Sequence, residues 1–590
     1  MDISPQISVK FATFFKYFLA GQPKLVIFAP DQNQNHYNKM KENYPHYLSR
    51  LASTIKENWD KPALCNYKGE KFTFCDVATD IEKFHIFFRN AGITKGDHIA
   101  LCAKNSARWA LSFLAANTYE AVVVPILCDF LPDSIEHLTD HSESEILFTD
   151  PDIWAKLDIS KMPRLKAVVS VSDFTLLHAS DEKIKTAFET LPEVFSSRFP
   201  MGYSRENVSY PTDNSKNMCV INYTSGTTSA PKGVMLRYEC FSAMVEYSIS
   251  RVWVDPSDSL VSMLPMGHIY GLAFEFIYPL CFGCTINFFG KTPSPTLLLK
   301  AMKDVRPYMV VSVPLVMEKV YKSSIKPAIS KWYMKVLLLI PGINSIIYSK
   351  IGAKLKEAFG GRVRHFIMGG AALNPEVEKC FKKIKLPYTV GYGMTEASPL
   401  LGYEDWREYV AGSCGKAVSC AEVKIDSEDP QHIVGEILAK GTNICSGYYK
   451  NPEATQNAFT ADGFFRTGDL GIIDAEGNIF IKGRCKNMIL SANGQNIYPE
   501  EVEAELNSQK YIAESVVVDR SSKLVALVYL DKDAIKRDNL DSESVSDIPE
   551  NARIITNRHL PGYSQITKVE VVPEPFEKTP KMSIKRYLYK

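Results

Sequence analysis

Residues Tyr223 to Leu236 read YTSGTTSAPKGVML. Six consecutive small or hydroxylated residues, Thr224 to Ser229, precede Pro231, Lys232 and Gly233. An apolar run, Met218 to Tyr223, leads in, and a helical pattern from Tyr238 to Ile249 follows. A strand, a hydroxyl-rich loop and a helix form an anion cradle, where backbone N–H groups, O–H donors and one cation converge on phosphate. Thr224, Ser225, Gly226, Thr227, Thr228 and Lys232 are the expected nucleotide-binding residues of this cradle. It is not a Walker loop, because Pro231 stands where that motif needs glycine directly before the lysine. An ordinary surface turn explains the hydroxyls but not the Pro-Lys-Gly that follows them.

The loop resembles the signature of the adenylate-forming superfamily: acyl-CoA synthetases, luciferases and peptide-synthetase adenylation domains. The resemblance implies activation of a carboxylate by ATP, release of pyrophosphate, and transfer of the acyl group from AMP to a thiol. GYGMTE (Gly391 to Glu396), after a strand candidate at 387–390, is similar to the superfamily's second core motif. Magnesium bound with nucleotide phosphates is usually held by one or two carboxylates. Glu396 is the expected metal ligand, with the Thr224 hydroxyl beside it. Thr395 is expected to bond the α-phosphate and Tyr392 to offer a flat face to adenine, with Gly391, Gly393 and Met394 completing the nucleotide-binding turn.

RTGDLG (Arg466 to Gly471) reads as a tight glycine-flanked turn carrying Asp469. One carboxylate can accept from both hydroxyls of a ribose, although an Asp-Leu-Gly turn is common enough without a ligand. With Arg484 in KGRCKN downstream, Asp469 resembles the family's ribose-binding pair. The match to Gly370, Ala371 and Ala372, after a strand candidate at 363–368, implies the lining of the adenine site. Lys486 matches the family's hinge, about which the small domain swings between adenylation and thioester formation. Gly494, in SANGQNIYPEEVE, matches the tip of the loop that faces the thiol. His268, in MLPMGHIYG, matches a position that gates the acyl pocket, so a positioning role is expected. A carboxylate substrate is already ionised near pH 7 and needs no base.

One departure stands out. Relatives carry a lysine directly before an Ile-x-Arg pattern, and in EKTPKMSIKRYLYK the ungapped match places Ser583 there. Lys581 and Lys585 lie two residues to either side, and residues two apart in an extended strand share a face. Both are candidates for the catalytic cation.

Strand and helix patterns alternate from Lys61 onward, which argues for βαβ units and a mainly parallel sheet. The expected class is α/β: a large N-terminal domain of mainly parallel sheets with flanking helices plus a small β-rich subdomain, and a small mobile C-terminal α+β domain. The expected divisions are an N-terminal arm (1–46), an adenylation domain (47–485) and a lid (486–590) hinged at Lys486. Residues 180–217 read as loop and 531–547 as a polar linker.

The chain has 590 residues, 45% hydrophobic and 23% charged, with net charge +1. That balance gives no pull toward nucleic acid. Its 13 cysteines show no framework spacing. Cys281 and Cys284 therefore read as buried thiols, and no signal peptide is recognised at Met1. A cytoplasmic location is expected, with Phe11 to Phe28 packing as an arm or lying peripherally at the inner membrane. Val336 to Ile347 is apolar but split by Pro341-Gly342, so no segment is expected to span.

The helical insert from Leu315 to Phe359 resembles that of bacterial long-chain fatty-acyl-CoA synthetases and would suit an acyl tunnel. The resemblance implies a ligase using a fatty acid, ATP, magnesium and coenzyme A. The other readings are a fatty-acyl-AMP or acyl-carrier-protein ligase, a medium-chain or aryl acid ligase, and a nucleotide- or lipid-binding pseudoenzyme. Oligomeric state, a homodimer included, stays open.

Overall fold

The structure, a computed structural model, describes residues 46–224, 231–252, 254–290, 295–490, 495–520, 523–578 and 584–589. The arm segment 11–28, Ser225, Gly226, Thr227, Thr228, Gly494, Lys581 and Ser583 lie outside the described residues.

Strands β1 (Pro62–Asn66) and β2 (Lys71–Thr73) are followed by helix α1 (Phe74–Asn90), whose start is fixed by a capping box between Thr73 and Asp76. Seven strands then make the largest sheet: β3 (His98–Cys102), β4 (Val122–Pro125), β5 (Ile146–Thr149), β6 (Ala167–Ser170), β7 (Leu176–Ala179), β8 (Met218–Thr224) and β9 (Lys232–Arg237). Their order is β7-β6-β5-β3-β4-β8-β9. The five central strands run parallel, and β7 and β9 are antiparallel edges. Runs such as VVVP in β4 and AVVS in β6 are buried throughout, as parallel strands covered on both faces must be. Helix α2 (Ala107–Thr118) packs on this sheet, and α3 (Tyr238–Arg251) follows β9.

A second sheet joins β10 (Ser259–Ser262) and β11 (Thr285–Phe288) to β1 and β2. A third is parallel: β12 (Met309–Ser312), β13 (His365–Met368) and β14 (Tyr388–Val390). The insert between β12 and β13 contains α4 (Trp332–Leu338) and α5 (Ile343–Ala358), and α6 (Pro375–Lys383) precedes β14. One face of α5 is buried by Ile347, Gly352 and Leu355. A Cβ on Gly352 would lie 2.1 Å from the Ile384 carbonyl oxygen, so the helix approaches the end of α6 backbone to backbone.

Short antiparallel strands β15 (Tyr392–Gly393), β16 (Leu400–Tyr403) and β17 (Lys416–Ala417) come next. The β-rich subdomain is the antiparallel sheet β18 (Ala421–Asp426), β19 (Gly435–Gly441), β20 (Phe465–Ile473) and β21 (Ile479–Arg484). After the two-residue strands β22 (Ile489–Leu490) and β23 (Asn496–Ile497), helix α7 (Pro499–Ser508) packs on β24 (Ile512–Arg520), β25 (Lys523–Leu530) and β26 (Lys568–Val571). Period-two alternation divides β24: Val517 faces the helices with Leu506 and Ile548, while Val516 and Val518 face Phe576.

The α/β class with a C-terminal α+β part is as expected, and three local readings change. Residues 180–217 contain helices Glu182–Glu189 and Leu191–Arg198, the first capped by Asp181 through the Ile184 N–H at 3.0 Å. The polar stretch after Asp531 also holds helix, Lys532–Arg537 and α8 (Ser542–Asn557). Asp541 caps α8 at 2.8 Å, and Ile548, Ala552 and Thr556 form its buried stripe, four residues apart. These helices are polar overall, and only a narrow apolar stripe with a good cap distinguishes them from linker. Finally, β9 separates the Thr224–Lys232 loop from helix α3.

Candidate active site

Strands β8 and β9 are an antiparallel hairpin in which Thr224 pairs with Lys232. The Thr224 hydroxyl donates to the Lys232 carbonyl at 3.4 Å. The strands on either side of the 225–230 segment are thus paired, and the α3 N-terminus follows β9 and not that segment. Strand β9 wins over helix because both its edges are paired. On the far side the Met235 N–H donates to the Gly447 carbonyl at 3.0 Å, and the Tyr449 N–H to the Gly233 carbonyl at 2.8 Å. Gly233 fits the ladder because a Cβ there would sit 2.8 Å from Ile221 Cγ2.

That second pairing brings Tyr448 beside Lys232. The Lys232 ammonium lies 4.8 Å from the ring centroid, and the Tyr448 hydroxyl donates to Glu396 Oε1 at 3.0 Å. Glu396 sits in a single 3₁₀ turn, Thr395–Ala397, and is 8% exposed. Its backbone carbonyl accepts from the Cys445 N–H at 2.8 Å. The buried Asn443 amide donates to the carbonyls of Ala397 at 3.1 Å and Leu400 at 2.8 Å, closing the turn from below. Gly393 admits no side chain, since a Cβ would fall 1.7 Å from the Pro399 carbonyl oxygen. Met394 donates its N–H to that same oxygen at 2.8 Å.

Asp469 is not in a turn but within strand β20, paired in register with Arg484 on β21. Gly468, at φ +71°, supplies the left-handed conformation beside it, and the ladder shifts between Leu470 and Gly471. The carboxylate is 4% exposed. Arg484 Nε reaches Oδ1 at 2.8 Å, and the Tyr392 hydroxyl donates to Oδ2 at 2.8 Å. Burial pushes the Asp469 carboxyl above its usual range, and Arg484 and Tyr392 oppose that rise. Tyr392 is itself buried, so the structure fixes its hydroxyl on Asp469 and leaves little open ring face.

Gly370, Ala371 and Ala372 are exposed on the loop after β13, with Gly370 at φ +85°. Gly391 donates its N–H to the Met368 carbonyl at 2.8 Å, so this loop and the GYGMTE segment leave adjacent strand ends. His268 lies on the loop after β10, which is tied to β8 by the Asn222 amide donating to the Gly267 carbonyl at 2.9 Å. A π-helix, Leu272–Ile277, follows it. Within that helix the buried Glu275 accepts from the Ser262 hydroxyl at 3.0 Å and the N–H groups of Met263 and Leu264 at 3.0 and 2.9 Å. Glu275 thereby fixes the end of β10 and the start of the His268 loop. Burial raises its carboxyl to about 8.

An "AMP-binding enzyme" family model matches residues 51–449, and an "AMP-binding enzyme C-terminal domain" model matches 486–589. The chain belongs to the AMP-binding enzyme family. Long-chain-fatty-acid–CoA ligase 1 of Schizosaccharomyces pombe is 27% identical over 512 residues, covering 81% of this chain and 74% of that protein. Long-chain-fatty-acid–CoA ligase FadD15 of Mycobacterium bovis is 26% identical over 561 residues, 87% and 89% of the two chains. In fold, the chain is similar to ATP-bound MatB of Rhodopseudomonas palustris, with TM-score 0.73 and 22% identity over 92% of this chain and 98% of the other.

On this AMP-binding enzyme, Lys486 is exposed in the turn after β21, where Asn487 and Met488 donate N–H groups back to the Arg484 carbonyl at 3.0 and 3.1 Å. Asn487 Nδ2 reaches Glu500 on α7 at 2.6 Å. Lys585 does not continue an extended strand. Ile584 bridges Lys578, and Lys585 then begins the 3₁₀ turn Arg586–Leu588 with its ammonium 3.3 Å from Glu577. Lys585 is therefore held by its own ion pair, and Lys581 lies outside the described residues. Arg586 pairs with Glu503 of α7, which also accepts the Val517 N–H at 2.6 Å and so ties the tail to α7 and β24.

Tyr448, Asn443 and Glu275 escaped the sequence reading. NICSGYYKNPEA offers only an aromatic pair, and its role follows from pairing along β9. Tyr448→Phe keeps the ring under Lys232 and deletes the donor to Glu396. It is expected to slow pyrophosphate release roughly tenfold, the scale of a hydrogen bond to a charged group, with unchanged ATP binding. Wild-type rates in stopped-flow would remove Tyr448 from the site.

For Glu275, a folded value of about 8 against 4.5 for the free carboxyl means the native state keeps a proton that the unfolded chain loses. Its stabilising contribution is full below pH 4.5 and is lost as pH rises toward 8, at roughly 1.4 kcal/mol per pH unit at most. The Tm of Glu275→Gln should therefore gain on wild type between pH 5 and 8. A constant difference across that range would show Glu275 to be ionised in the fold.

Proposed function

We propose that this chain is an ATP- and magnesium-dependent ligase that joins a long-chain fatty acid to coenzyme A, giving acyl-CoA, AMP and pyrophosphate. The observation that carries this reading is Tyr448, which holds the phosphate-loop cation Lys232 and the carboxylate Glu396 on one side chain. A cation for the leaving phosphates and a carboxylate for their metal are what adenylation needs at one place. The names of the relatives above support the long-chain substrate.

Lys232 and the Thr224 hydroxyl would face the departing phosphates. Glu396 suits magnesium shared with phosphate oxygens, since no cage of three metal-binding side chains occurs among the described residues. Such an ion neutralises charge on the pyrophosphate leaving group. Asp469, braced by Arg484 and Tyr392, would accept the ribose hydroxyls, and the loop of Gly370, Ala371 and Ala372 would line the adenine. The fatty carboxylate attacks the α-phosphorus, forming the acyl–phosphate bond as the bond to pyrophosphate breaks. The coenzyme A sulfur then attacks the acyl carbon and AMP leaves. His268, on the loop fixed by Glu275, would position the acyl group. Lys486 is the proposed hinge between the two steps, Gly494 the proposed thiol-side tip, and Lys581 the proposed cation in place of Ser583.

With palmitate, ATP, magnesium and coenzyme A, palmitoyl-CoA is expected by mass spectrometry, and Glu396→Ala should lower its rate by roughly 10²-fold or more. Full activity in that variant would remove Glu396 from the mechanism. Palmitoyl-AMP without thioester would make the protein an acyl-adenylate or carrier-protein ligase. Faster turnover of octanoate or benzoate would overturn the long-chain assignment.

A further inference from the structure

The insert between β12 and β13 does not bury all of its apolar content. Helices α4 and α5 meet at a bend of 117° across Leu339 to Gly342. Trp332, Val336 and Leu339 lie four and then three residues apart, so they share one face of α4 and its end. Trp332 is 71% exposed and Leu339 81% exposed, with Val336, Ile340 and Ile346 also exposed around the bend. The opposite side of the hairpin is committed to the core through Ile347 and Leu355, and through the close approach of Gly352 to Ile384. The apolar tip is thus carried outward from the buried part of α5.

The charge of this insert is mostly of one sign. Pro314 to Ala358 contains eight lysines and two glutamates. Lys331, Lys335, Lys350 and Lys354 flank the exposed apolar residues on α4 and α5, and Lys326 at the base is paired with Glu376 at 3.0 Å. An apolar tip rimmed by lysines matches a surface with anionic headgroups over hydrocarbon. Neither helix alone is long and apolar enough to cross a bilayer. The longer, α5, has 16 residues, or about 24 Å at 1.5 Å per residue, and the bend breaks the path.

We infer that the α4–α5 hairpin docks the protein on an anionic lipid surface, with Trp332, Val336, Leu339 and Ile346 entering the headgroup layer and the flanking lysines meeting the phosphates. None of these residues is among the phosphate, ribose or metal positions above, and the proposal does not depend on the proposed reaction.

The test is co-sedimentation of the full chain, without nucleotide, on vesicles of phosphatidylglycerol and phosphatidylcholine. Wild type should bind them and leave vesicles of phosphatidylcholine alone largely free. The triple variant Trp332→Ser, Val336→Ser, Leu339→Ser should bind roughly tenfold more weakly or worse, with unchanged circular dichroism and palmitoyl-CoA formation in detergent. Lys331→Glu with Lys335→Glu leaves the apolar face intact and should lose the preference for phosphatidylglycerol, which keeps the test valid if the triple variant misfolds. Tryptophan emission should shift to the blue on vesicle addition in wild type and much less in Trp332→Phe.

Unchanged binding by both hairpin variants overturns the proposal. So does binding abolished by Phe14→Ser with Phe15→Ser alone, which would place the contact in segment 11–28. A wild-type dimer that ignores vesicles and becomes monomeric in the triple variant would make the hairpin a self-association face instead.

Discussion

Two carboxylates are buried at the site, Glu396 in a 3₁₀ turn and Asp469 within strand β20. Burying such charge costs several kcal/mol unless donors replace the lost water. Each is met by a tyrosine hydroxyl: Tyr448 for Glu396 and Tyr392 for Asp469. Each tyrosine is tied in turn to a cation or its partner, Tyr448 beneath Lys232 and Tyr392 on the carboxylate that Arg484 also holds. Much of the architecture around the site places these four groups. The β20–β21 register sets Arg484 opposite Asp469, and the Gly447–Tyr449 segment sets Tyr448 against β9.

The same constraint explains why single glycines are so tightly specified. Gly393 lets the GYGMTE segment fold back within reach of the Pro399 carbonyl, and Gly233 lets β9 lie flat on Ile221. With those contacts the polar groups are fixed before any ligand arrives, which is where most electrostatic stabilisation of a transition state originates. Glu275 extends this to the loop that carries His268. One buried carboxyl collects a hydroxyl and two backbone N–H groups, so the loop carrying His268 leaves β10 along a fixed path.

Much of this was legible in the chain. Hydroxyl-rich loop, GYGMTE and RTGDLG are compact strings whose residue types carry their chemistry. Long apolar runs such as VVVP and MVVS announced buried parallel strands. What stayed hidden depends on pairing between distant segments. Tyr448 acquires its place from a ladder with residues more than 200 positions earlier. Strand β9 reads as the approach to a helix until its second edge partner is known. The Asp469 segment looks like a turn because Gly468 and Gly471 flank it, yet its partner strand draws it into a ladder. Helix α8 hid in a polar stretch because three residues suffice to bury it. The insert's apolar residues suggested an acyl tunnel, but no local pattern separates the ones that turn inward from those that face outward.

The central claim is that the chain's own residues form an acyl-adenylate although Ser583 stands where relatives carry lysine. Exchange of labelled pyrophosphate into ATP, measured with palmitate and magnesium and without coenzyme A, tests this step alone. Exchange should depend on the fatty acid and disappear in Lys581→Ala. ATP binding with no acid-dependent exchange would contradict it and leave a nucleotide-binding protein without the first half-reaction.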